Sequence, residues 1–180
     1  MTEEELFDTL RPIILTVTGV PECILADPNA RAPDGDYAAV RPKKAVGQRG
    51  QSNVKLVNKP LSPIDLDTSV KRQVVTEMSI QFYRGGALDY APKLIDANKR
   101  SDISEILFKA KVGWRNVGPV NNLTALQSDS QEPRSQISIF LMYEETDEFS
   151  VNSIERVRVD TEYSDGTLVS SFDIETDDAP

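Results

Sequence analysis

The sequence predicts an α+β fold: a single domain over residues 1–180, in which a mixed, mainly antiparallel β-sheet packs with two or three α-helices and a basic hairpin extends as an arm. Three observations predict it. Apolar residues recur at helical spacing behind a capping box at the N-terminus. Two segments, Val74–Tyr83 and Gln136–Tyr143, alternate as half-buried or buried strands do. An Asp-Gly pair near the C-terminus sits between two further alternating runs, the signature of a tight hairpin.

Thr2 followed by Glu5 forms the capping box, and Leu6, Phe7, Leu10, Ile13, Ile14 and Val17 give an amphipathic helix over residues 3–18, closed by Gly19 and Pro21. Pro12 lies too deep to be a first-turn proline and removes the bond to the Asp8 carbonyl, so a kink or a break is expected near residues 8–12. Residues 26–36 are rich in turn formers and read as a loop. Tyr37–Val40 reads as a short strand stopped before Pro42, Gln48–Gln51 as a turn, Asn53–Asn58 as a strand and Lys59–Asp67 as an exposed excursion.

In the strand Val74–Tyr83, Val74, Thr76, Met78, Ile80 and Phe82 form the core face. Arg84-Gly85-Gly86 turns into a helix over about Leu88–Asn98 with Leu88, Ala91 and Ile95 on one side, and a shorter helix begins at Asp102. Residues 113–122 read as a long irregular connection. Gln136–Tyr143 is apolar on both faces and reads as a central strand, with the acidic residues Glu144–Glu148 forming a solvated loop at its end. Residues 154–175 form a hairpin turned by Asp165-Gly166, which pairs Val157 with Ile174, Arg158 with Asp173, Val159 with Phe172, Arg156 with Glu175 and Tyr163 with Leu168. Residues 176–180 are expected to fray.

Composition narrows function by exclusion. Histidine is absent and Cys23 is the single cysteine, which removes histidine bases, Ser/His/Asp and Cys/His nucleophile systems, disulfides and the usual zinc sites. No nucleophile, base and oxyanion donor can be named together, so no catalytic residue and no cofactor site is assigned and the chain reads as a non-enzyme. The loop carrying Asp27, Asn29, Asp34 and Asp36 has Ala32 where a calcium loop needs glycine, so no metal site is assigned either. No signal peptide or membrane span is read, and a reducing compartment is expected.

The net charge of −9 is unevenly spread. Residues 41–72 hold eight Lys/Arg against Asp65 and Asp67, a net +6, whereas residues 144–180 hold twelve Asp/Glu against Arg156 and Arg158, a net −10. Such a contrast suits head-to-tail association between copies. Arg41, Lys43, Lys44, Arg49 and Lys55 are therefore candidate residues of a subunit interface or of a lumen. Trp114 and Arg115 form a candidate partner-contact loop, with anchoring of Trp114 to the core weighed evenly against recognition.

The order of parts carries a resemblance: a first helix ending in Thr-Gly, Tyr37-Ala-Ala-Val-Arg-Pro42, the strand ending Phe82-Tyr83-Arg84-Gly85, the helix from Tyr90 to Arg100, then Val112–Thr124 and the strand Ile137–Tyr143. Over roughly residues 3–163 the chain resembles phage neck or tail terminator proteins. That resemblance implies a structural virion protein, assembled in the host bacterial cytoplasm into a ring, typically a hexamer. The ring would cap the tail tube and join the tail to the head connector. Its implied partners are copies of itself, the tail tube protein, the head-tail connector or neck proteins, the sheath of a contractile tail, and genomic DNA passing the lumen without sequence specificity. Other readings left open are a different phage ring component, such as a head-side stopper or baseplate protein, and a small-ligand binding module using Trp114 and the Tyr37 loop.

Overall fold

The structure is a computed structural model, and it describes residues 1–26, 32–59, 62–127, 130–152, 156–162 and 168–175. Two compact units are recognised, one formed by residues 1–51 and 72–145, the other by residues 52–71 and 146–180.

The first unit opens with helix α1, Glu3–Thr18. Its N-terminus is held by the expected reciprocal cap, the Glu5 amide donating to Thr2 Oγ1 at 3.1 Å and the Thr2 amide to Glu5 Oε2 at 2.7 Å. Gly19 ends the helix in the left-handed conformation at φ 78°, where a Cβ is disfavoured. Pro12 does not break the helix, which runs as one element with Leu6, Leu10, Ile13 and Ile14 buried.

Four strands in parallel and antiparallel order follow across the sheet. β1, Glu22–Leu25, is a short parallel partner of β2, Tyr37–Gln48, and was not expected from sequence. β2 also outruns the expected stop at Pro42. The Val40 carbonyl accepts from the Ala26 amide, so Val40 turns its polar backbone groups toward β1. Pro42, two residues on, presents its nitrogen to the same side beyond the last β1 pair, where no donor is required.

Beyond the turn at Gly50 lies β3, Asn53–Lys59, which pairs antiparallel with the first part of β4, Ser62–Tyr83. The stretch 62–67, expected as an exposed excursion, is thus strand, with Asp67 opposite Val57. The basic section is a hairpin in this second-unit portion, while residues 41–48 belong to β2 and pair with β4 as far as Gln48 opposite Val74.

Helix α2, Ala87–Lys93, and a 3-10 turn, Ala97–Lys99, replace the single helix expected over 88–98. After Pro92 the chain tightens, Leu94 donating to Ala91 and Ile95 to Pro92. The buried side is Ala87, Ala91, Leu94 and Ala97, whereas Leu88 and Ile95 are exposed. At its start α2 is tied to the sheet where Ser135 Oγ donates to the Ala87 carbonyl. Helix α3, Ser101–Lys109, buries Ile103 and Leu107; Asp102 does not cap it but pairs with Arg100 at 2.7 Å.

The supposed irregular connection contains β5, Gly113–Val117, and β6, Asn121–Asn122, both paired with β9, Arg134–Asn152. A small hairpin of β7, Ala125–Gln127, and β8, Ser130–Glu132, lies between them in sequence. The acidic residues 144–148 continue β9 as an exposed strand, not a loop. The sheet order is β1-β2-β4-β9-β5, so β9 is an interior strand between β4 and β5, but only its Ile137–Leu141 face is buried; Phe140 and Met142 are half-buried, not covered as expected. One face, built from Ala38, Val40, Met78, Ile80, Phe82, Ile137, Ile139 and Leu141, buries itself under the helices. Each of these side chains larger than alanine, removed from water, contributes about 1.5–3 kcal/mol.

The second unit holds β3 with residues 62–71 of β4, the distal end of β9 and the hairpin of β10, Arg156–Glu162, with β11, Leu168–Glu175. In it Ser150 Oγ donates to Asp67 Oδ1 at 2.9 Å. The β10–β11 register matches the sequence derivation for Arg156, Val157, Arg158 and Val159 with their partners. It then slips: a bulge at Thr161/Glu162 makes Glu162, not Tyr163, the partner of Leu168. The Asp165-Gly166 turn and residues 176–180 lie outside the described residues.

A candidate assembly surface

Five of the seven nominated residues lie in the first unit with described side chains, and they separate into two groups. Arg41 and Lys43 project from β2 opposite Ser79 and Glu77, on the sheet face away from the helices. Lys43 Nζ lies 2.8 Å from Glu77 Oε1, which also accepts from Ser138 Oγ at 2.8 Å. Lys43 first, and Ser138 after it, hold the Glu77 carboxyl below its usual range against the opposing effect of burial. This charge is consumed at home, as is that of Arg72, which meets Glu145 at 2.7 Å. The Lys44 side chain lies outside the described residues, and Lys55 is exposed on β3 in the second unit.

Arg49, Trp114 and Arg115 form the other group. Just past β2, the Arg49 amide donates to the Gln73 carbonyl at 2.9 Å, which fixes the chain, and its guanidinium reaches Met142 Sδ at 3.7 Å. β5 brings Trp114 opposite Leu141 of β9, half-buried against the core. A register shift between Trp114 and Asn116 leaves Arg115 as the extra residue, and it is exposed. Arg49, Trp114, Arg115 and Met142 line one hollow of about 380 Å³. Neither arginine has an ion pair among the described residues. The hollow offers two arginines beside the Met142 thioether, with Trp114 contributing to its wall, chemistry suited to a carboxylate next to an apolar group.

Sequence reasoning missed a second cluster on the outer sheet face. Tyr37 and Tyr83, cross-strand partners, stack at 4.6 Å with rings 4° from parallel. Arg84 lies over Tyr37 at 5.6 Å and Arg134 over Tyr83 at 4.6 Å. Arg84 also pairs with Glu132 at 3.2 Å and donates to the Gly35 carbonyl at 3.1 Å. Burial, followed by Tyr83, pushes the Tyr37 hydroxyl pKa up. Only the β2–β4 register, invisible in composition, would have revealed the stack.

Asp36 and Cys23 have structural surroundings. Asp36 accepts from the Gly86 amide and the Tyr90 hydroxyl, each at 3.1 Å, and so serves as a brace; Asp27 and Asn29 lie outside the described residues. Among the described residues no group of acidic or cysteine side chains is arranged to hold a metal. The Cys23 thiol is buried and its pKa is pushed up to about 12, with Arg11 opposing, so it stays protonated.

The family model of phage neck terminator proteins matches residues 4–167 of the chain. The chain belongs to that family. The match spans all three segments that build the hollow and ends just before β11, Leu168–Glu175. No curated protein shows significant similarity to the chain. The neck terminators are structural proteins, so membership places the chain in the virion neck among the proteins of the phage tail and head-tail junction. No helix among the described residues is long and apolar enough to cross a membrane.

Proposed function

We propose that the chain is a ring subunit that caps the tail tube, ends its polymerisation and presents its other face to the head connector. Family membership supports the neck, and the hollow of Arg49, Trp114, Arg115 and Met142 is the observation that carries the ring. Two arginines with no ion pair among the described residues suit an acidic counterpart, and a chain of net charge −9 supplies one in its own copies. When donor and acceptor surfaces are different patches of one subunit, contacts are head-to-tail, and rotation closes them into a ring. A hexamer is the proposed size. Its partners are the tail tube protein, the neck connector proteins, the sheath where the tail contracts, and DNA crossing the lumen without sequence readout. Assembly in the host cytoplasm completes the reading, and no catalytic step is part of it.

The ligand-module reading required Trp114 to converge with the Tyr37 loop. β2 and β5 are separated by β4 and β9, about 14 Å at the usual strand spacing, and the Tyr37 ring is stacked away on Tyr83.

Deletion of the gene followed by electron microscopy of the particles tests the proposal. Overlong tails, or tails of normal tube unjoined to heads, are expected; normal particles would refute termination.

A further inference from the structure

We infer that the occupant of the Arg49–Trp114–Arg115 hollow is the segment Asp147-Glu148-Phe149 of a second copy of this chain. The inference rests on the ring reading and specifies its joint. On the distal part of β9, Asp147 and Glu148 are exposed carboxylates, and Phe149 keeps 47% of its surface in water. Strand alternation puts Asp147 and Phe149 on one side, about 7 Å apart along the chain, with Glu148 on the other.

That side presents a carboxylate and an aromatic ring together, the complement of an arginine pair beside a thioether. Asp147 meets the guanidinium groups in charge-assisted hydrogen bonds, Phe149 lies against Met142, and Glu148 faces the rim. The nearby acidic residue Glu145 is paired with Arg72, whereas Asp147 and Glu148 have no ion pair among the described residues. Phosphate is the weaker occupant, because a chain of net −9 repels nucleic acid and only two cations line the hollow.

Charge exchange between copies tests this. One variant carries R49E and R115E, the other D147R and E148R. Sedimentation follows each alone, both mixed, and both on purified tail tubes; R49K/R115K serves as the folding control. The wild type and the lysine control should assemble. Each reversed variant alone should associate at least about thirtyfold more weakly. Their equal mixture should assemble, since every hollow then faces a segment of opposite charge, which a contact within one chain does not predict. Rings from either reversed variant alone overturn the joint and leave the ring reading standing, as does a mixture of folded variants that stays monomeric. Intact rings with loss only of single-stranded DNA binding in R49E/R115E assign the hollow to nucleic acid and overturn it too. A wild type that stays monomeric both free and on tubes overturns the ring reading and the joint together.

Discussion

Substituting Gly85 by alanine should unlock the brace that ties the loop before β2 to the start of α2. Gly85 has φ 31°, and a Cβ built there would lie 2.6 Å from Asp36 Cγ, far inside contact distance. The carboxylate must leave. It then loses hydrogen bonds from the Gly86 amide and the Tyr90 hydroxyl. Each bond to a charged acceptor is worth about 1.5 kcal/mol at this partly buried position, and left-handed strain on alanine adds about 1 kcal/mol. The expected loss is about 4 kcal/mol, a fall in Tm of roughly 8–16 °C for a chain of this size. Urea unfolding followed by the fluorescence of Trp114, the one tryptophan, measures it in the same unit. In a D36A background the brace is already gone, so G85A should cost only the backbone strain of about 1 kcal/mol. Equal costs in both backgrounds would refute the collision with Asp36.

Other consequences are local. Lys111 adopts φ 56° after α3 while Val112 donates to Leu107 and Lys111 to Phe108, a Schellman-type end usually closed by glycine; K111G should gain about 0.5 kcal/mol in urea unfolding. T2A removes the acceptor for the Glu5 amide and should cost about 1 kcal/mol by the same assay. Because the folded Glu77 carboxyl sits below its unfolded value, its contribution is present above the unfolded pKa and lost as pH falls through the folded one. E77Q should therefore flatten the acid side of a stability profile below about pH 4.3, by less than about 1 kcal/mol because Lys43 is half exposed. Cys23 should resist alkylation at pH 8 until urea unfolds the chain; rapid labelling of the native protein would contradict its burial.

The features legible in the sequence were those that short-range chemistry decides. The Thr2–Glu5 cap, the Gly19 stop and four pairs of the β10–β11 ladder depend on residues close in the chain. The distal half of β9 was not legible, since the strand runs on exposed and loses the alternation of buried and exposed positions that marks a core strand, and the start of β4 was hidden by Pro60 and Pro63. β1 is four residues long, and β5 hides in glycine- and asparagine-rich sequence; only pairing with β2 and β9 makes them strands. Around α2 the helical spacing pointed to Leu88, Ala91 and Ile95, but the break after Pro92 turns Ala87, Ala91, Leu94 and Ala97 inward and leaves Leu88 and Ile95 exposed. The hollow shows the same limit. Arg49 and Trp114–Arg115 were each nominated, for charge and for an isolated aromatic, yet their meeting on Met142 follows from strand order.

The neck itself offers the most direct measurement. A reconstruction of the intact particle should show a closed ring of these α+β subunits on the last ring of the tail tube, below the head connector, with neighbours joined through the Arg49–Trp114–Arg115 hollow. The chain found at the far end of the tail, or present at the neck as isolated copies, would contradict the account.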